Sequence, residues 1–121
     1  MPGIEVVFFR DVDGTVPVLD WLDGLAAKAQ AKCMVKIERL KEMGHELRRP
    51  EADYLRDDIY ELRIGLQGMN YRILYFFHGR AVAVLAHGLI KERAIPPREI
   101  ALAIERKELF RTNPKVHTHS E

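Results

Sequence analysis

The chain has one cysteine, no long apolar run, almost no net charge and no internal repeat, and each shortage removes a class of protein. Cys33 has no partner for an internal disulfide and lies within a helical pattern. It reads as a small buried hydrophobe, in keeping with a reducing cytosol. The longest apolar run breaks well before the roughly 20 residues that a membrane span needs. The opening MPGIEVVFFRD enters a strand with no basic segment ahead of it. Neither export nor membrane insertion is therefore expected, and the cytoplasm is the expected location. A formal net charge of +1 speaks against nonspecific coating of nucleic acid. His117 and His119 have spacing too common to define a metal site, and neither a metal nor another cofactor is expected.

What is present is an ordinary globular composition, 47% hydrophobic and 31% charged over 121 residues, enough for one core and too short for two. One domain is expected over residues 1–111, with a frayed tail over 112–121. Charge is uneven within it. From Ile59 to Arg98, Arg63, Arg72, Arg80, Lys91, Arg93 and Arg98 face only Glu61 and Glu92, a local excess that favours an anionic ligand.

That segment reads as three strands, IYELRIGL, MNYRILYFF and AVAVLAHGLIK, with period-2 alternation and β-branched and aromatic content. A two-residue turn at Gln67-Gly68 pairs Leu66 with Met69 and sets Arg63 opposite Arg72. A second such turn at Gly79-Arg80 pairs His78 with Ala81 and sets Arg72 opposite His87. Strands lie roughly 5 Å apart, so Arg63, Arg72 and His87 would form a row about 10 Å long. In this register Tyr60, Leu62, Ile64, Leu66, Met69, Tyr71, Ile73, Tyr75, Phe77, Val82, Val84 and Ala86 share the core face. The other face carries Glu61, Arg63, Asn70, Arg72, His87 and Lys91. Leu74, Phe76, Leu85 and Leu89 lie among them, as in a partly covered groove. Two arginines opposed across a strand pair repel. The pair is either a functional mark or an arrangement that Glu61 neutralises and makes structural.

Elsewhere, Ile4–Phe9 reads as a first strand of the same sheet. Pro17–Gly44 has a helical stripe of Leu22, Leu25, Ala29, Cys33, Ile37 and Leu40, interrupted by Asp23-Gly24, which predicts two helices rather than one rod. Gly44–Asp58 reads as a polar loop. There Arg48-Arg49 is either an anionic contact or a solvated turn. Pro96-Pro97 starts a final helix whose Ile100, Ala103, Ile104 and Phe110 should cap the sheet, with Glu99 near its positive end. The expected fold class is α+β: a strand and helical hairpin, then a mainly antiparallel sheet and a C-terminal helix.

The row would grip a phosphodiester. RNA cleavage by its own 2′-hydroxyl needs a base, an acid and cations on the phosphorane-like transition state, and no metal in principle. Arg72 suits the transition-state clamp, because its planar fork matches two phosphate oxygens and stays charged. Arg63 would hold the same or the adjacent phosphate. His87 titrates nearest neutrality and is the acid–base candidate, with Glu61 a possible partner base. Lys91 could reach a neighbouring phosphate. Taken singly, each of these side chains reads more readily as a solvated surface residue, and it is their alignment that suggests chemistry.

The runs YELRIGLQGMNYRILYFF, HGLIKER and PPREIALAIERKELF resemble the phage-related, HigB-like branch of the RelE superfamily of toxins from type II toxin–antitoxin pairs. The likeness spans about Ile4 to Arg111 and is strongest from Tyr60 onward. It implies a compact α+β, RelE-like toxin domain and a metal-independent endoribonuclease that cuts translated mRNA on the ribosome. A cognate antitoxin, of helix-turn-helix type, would silence it. By motif, Arg63, Arg72, His87 and Lys91 are similar to the family's functional positions. Where the family often has Phe-x-Lys-Lys this chain has Leu89-Ile90-Lys91-Glu92, and Arg93 stands beside the replaced lysine as a second phosphate contact. Two alternatives keep the fold without the chemistry: a toxin that blocks a protein such as a topoisomerase, and an inactive interaction module.

Overall fold

A computed structural model describes residues 3–121 and arranges them as a six-stranded sheet with helices on both faces. β1 (Glu5–Phe9) leads to α1 (Pro17–Asp23) and α2 (Ala27–Met43). β2 (Ala52–Arg56), β3 (Ile59–Leu66), β4 (Met69–His78) and β5 (Val82–Ile90) follow, then α3 (Pro97–Thr112), α4 (Pro114–His117) and β6 (Thr118–His119). The spatial order is β2-β3-β4-β5-β1-β6. β1 runs parallel to β5, and every other pairing is antiparallel. This is the expected α+β class, and the helix break falls where Asp23-Gly24 interrupts the stripe.

Each face has its own core. On one, Val18 and Leu22 of α1 and Ala29, Cys33, Ile37 and Leu40 of α2 pack on Leu62, Ile64, Ile73 and Tyr75. Cys33 is wholly buried, and burial pushes its thiol up to about 11. On the other, Ile100, Ala103 and Phe110 of α3 cover Ile59, Leu74, Phe76, Val84 and Ala86. With both faces covered, β4 and β5 read as nearly continuous apolar runs, which weakens the period-2 signal.

That weakness has consequences for β5. Val82, Val84 and Ala86 lie on the α3 face instead of the α2 face, and Leu85 lies on the α2 face. The cause is the connection, which runs through Gly79, Arg80 and Ala81, so that His78 pairs with Val82. One extra residue in a turn inverts every side chain that follows it.

Two further segments differ from expectation. The polar loop contains β2, paired with β3 from Ala52–Leu62 onward. Asp57 and Asp58 make its tight turn with φ of 51° and 63°, a conformation that short polar side chains tolerate better than most. The tail expected to fray is instead built into the sheet. Phe8 and Phe9 pair with His119 and Thr118, the buried His117 ring stacks on Phe9 at 5.1 Å, and its Nδ1 lies 2.7 Å from the Arg10 carbonyl. Among the described residues no helix is long and apolar enough to cross a membrane.

Candidate functional site

The β3–β4 turn places the arginines as counted. Gln67 and Gly68 both have positive φ, 51° and 80°, the geometry of a two-residue hairpin turn whose twist matches the strands. Leu66 pairs with Met69 and Arg63 with Arg72.

The arginine pair is stabilised by a carboxylate between its members. Glu61 is 3% exposed and gives one oxygen to each guanidinium. Oε1 accepts from Arg72 Nη1, and Oε2 accepts from Arg63 Nε at 3.1 Å and Nη2 at 3.0 Å. Asp53 of β2 accepts from Arg63 Nη2 at 3.2 Å and from Arg49 Nε at 2.9 Å. Charges alternate along Arg49, Asp53, Arg63, Glu61 and Arg72, so each of these five has a counter-ion and the repulsion is relieved. The structural alternative for the pair is thus realised: Glu61 satisfies both guanidiniums, and both of them line a cleft.

That cleft has a volume of about 330 Å³ and is lined by Asp53, Arg56, Glu61, Arg63, Arg72 and Arg93, together with Ile95 and, from α3, Ile100. Four cations face two carboxylates there, so the cleft favours an anion. Arg93 also borders a neighbouring groove of about 400 Å³ that contains Lys91, Asn70, Met69 and Ile90. Lys91 is exposed just past β5, and its amide donates to the Asn70 carbonyl at 3.0 Å. The structure therefore brings Arg63, Arg72, Glu61 and Arg93 together and leaves Lys91 next door.

His87 departs from the expected row. Leu89, not His87, lies opposite Arg72, and His87 pairs with Leu74. The longer β4–β5 connection inverts the face, and a bulge between Leu74 and Tyr75, where Ala86 is the extra residue, restores it. The imidazole thus returns to the arginine face two residues out of register. α3 covers it. The residue is 6% exposed, its Nε2 is 3.1 Å from Glu99 Oε1, and its Nδ1 is buried with no hydrogen-bond partner among the described residues. Burial, with the nearby Arg106 cation, holds its pKa below the ordinary histidine value, while Glu99 pulls the other way. A neutral ring donating from Nε2 to Glu99 leaves the Nδ1 lone pair unmatched.

Three members of this setting were not visible in the sequence. Asp53 sat in the supposed loop, although the alternation in ADYLR and the Asp57-Asp58 pair are signals of a strand and its turn. Glu99 was legible only as a helix-start acid. Arg106, which donates to the Ala86 carbonyl at 3.3 Å, carries no local signal, since its place depends on how α3 docks.

A mostly antiparallel six-stranded sheet with helices is compatible with the RelE-like fold. The chain belongs to the Gp49-like family of phage-derived proteins (DUF891), whose profile matches residues 20–108, and this family is associated with RelE-like toxins. No individual curated protein matches the chain.

Proposed function

We propose that the protein is the toxin of a type II toxin–antitoxin pair, of the HigB-like branch, and that it cuts mRNA on the ribosome without a metal ion. The observation that carries this is the Arg63–Arg72 pair, oriented by a buried carboxylate into a cationic cleft open to a phosphodiester. In the reaction the 2′-oxygen bonds to phosphorus and gives up its proton, and the bond to O5′ breaks as that oxygen gains one. A cyclic phosphate and a 5′-hydroxyl result. Arg72 stabilises the charge gathering on the equatorial oxygens, and Arg63 and Arg93 hold the flanking backbone. With both carboxylate oxygens committed to guanidinium groups, Glu61 serves to orient them. His87, on the arginine face of β5 beside Glu99, is the proton carrier in this reading.

The burial of His87 favours a second reading, a toxin that acts by binding alone. Primer extension on transcripts from cells expressing the protein separates the two. Discrete cuts that vanish in Arg72→Ala support the nuclease, whereas growth arrest with intact transcripts supports the binding toxin. The expected silencing partner is a helix-turn-helix antitoxin encoded beside it, and the expected location is the cytoplasm.

A further inference from the structure

We propose that a second cleft, on the opposite side of β2 from the arginine pair, receives an unstacked base and its phosphate from the same single-stranded RNA. This deepens the ribonuclease reading and rests on it. The cleft has a volume of about 540 Å³ and is walled by Tyr54, Tyr60, His45, Arg48 and Arg49. Of these residues Arg49 alone is tied to the arginine pair, through the Asp53 carboxylate that it shares with Arg63.

The aromatic wall is already built. Tyr54 is 50% exposed, and its ring meets Tyr60 at 5.2 Å and 75°, which makes a corner of two rings. Tyr60 is braced from behind by Tyr75, stacked at 5.4 Å and itself buried. His45 lies on Phe77 at 3.8 Å, with its Nε2 3.0 Å from the Arg80 carbonyl. Rings held in this way lose little freedom when a base stacks on them.

The cation is also available. Arg48 donates to the carbonyls of His45 and Leu47 and, among the described residues, to no carboxylate. A guanidinium whose charge no carboxylate neutralises, beside exposed rings, matches a nucleotide, with a π-face for the base and charge for the phosphate.

Continuity with the cleavage cleft selects RNA as the occupant. Asp53 borders both clefts and joins Arg49 on one side to Arg63 on the other. β2 is the edge strand, so a strand of RNA leaving Arg63 can pass around it.

The test uses the intact protein and 2′-O-methyl oligoribonucleotides, which bind but cannot be cut, with fluorescence anisotropy as the readout. Tyr54→Ala should weaken a hexanucleotide about tenfold and leave a dinucleotide unchanged, Tyr54→Phe should bind like the parent, and Arg48→Gln should weaken the hexanucleotide. Equal hexanucleotide binding by Tyr54→Ala and the parent overturns the proposal. So does absence of hexanucleotide binding by the parent, or an acidic peptide that binds through Tyr54 where RNA does not. Tyr54-dependent binding without transcript cutting by the parent overturns the nuclease reading and keeps the cleft as an RNA site, whereas cutting without Tyr54 dependence does the reverse.

Discussion

On one side β4 joins β3 through Gln67-Gly68, and their pairing runs from Leu66–Met69 to Tyr60–Tyr75 without a slip. On the other it joins β5 through Gly79, Arg80 and Ala81, and the pairing shifts between Leu74 and Tyr75. The first hairpin is specified locally: two residues with positive φ fix the twist, and the twist fixes which side chains are opposed. The second is specified from a distance, because the bulged Ala86 and the covered His87 answer to α3. Local specification places the arginine pair, and tertiary packing places the imidazole.

Activity gives the largest lever on that contrast. Arg72→Ala should lower transcript cutting by about 100-fold to 1000-fold, as loss of a transition-state donor does. His87→Gln should lower it by roughly 100-fold. If only the first variant is impaired, the chemistry is confined to the β3–β4 hairpin and His87 is a core residue.

A smaller effect separates two glycines, one on each hairpin. A methyl group at Gly88 of β5 would lie 2.2 Å from the Trp21 ring, whereas at Gly65 of β3 it would meet nothing closer than the Asn70 side chain at 4.0 Å. Gly88→Ala should therefore destabilise by about 1–3 kcal/mol in urea unfolding. Gly65→Ala should sit within about 0.5 kcal/mol of the parent.

Acid should weaken the fold through His87 of the second hairpin. His87 has a folded pKa below its ordinary 6.5, so between those values the unfolded chain takes up a proton that the folded one refuses. Stability falls as pH drops through that window. His87→Gln should flatten this part of a urea-midpoint profile. A separate loss belongs to Glu51. Hydrogen bonding to Arg39, with help from Lys36, holds its carboxyl at about 2 against an ordinary 4.5, so its contribution disappears only as pH falls through that lower range. The smallest effect is at the first turn. Gln67→Asn suits the positive φ and should raise stability by a few tenths of a kcal/mol, with the opposed arginines unmoved.

The same contrast explains what the sequence could reveal. Arg63 opposite Arg72 followed from counting out of one turn, and the helical break at Asp23-Gly24 followed from a local cost. The face of Val82, Val84 and Ala86 did not, because a three-residue connection and a two-residue one look alike around Gly79. Apolar residues on both faces of β5 then left no alternation to expose the error. His87 was placed on the correct face at the wrong position, since the connection and the bulge each add one residue and their effects on parity cancel. Burial of its ring lay beyond reach, because it depends on Glu99 and Arg106 arriving from a helix more than ten residues away. The tail gave no periodicity, yet His117 anchors it by stacking on Phe9 and by its contact with the Arg10 carbonyl, pairings that only the folded sheet creates.

Cys33 gives the molecule a built-in clock. Its thiol is sealed between α2 and the sheet and holds its proton up to about 11, so a maleimide or disulfide reagent can attack it only when the α2 face opens. The rate of labelling at a single atom thus counts openings of one side of the sheet, with no engineered probe and no second thiol to confuse the trace.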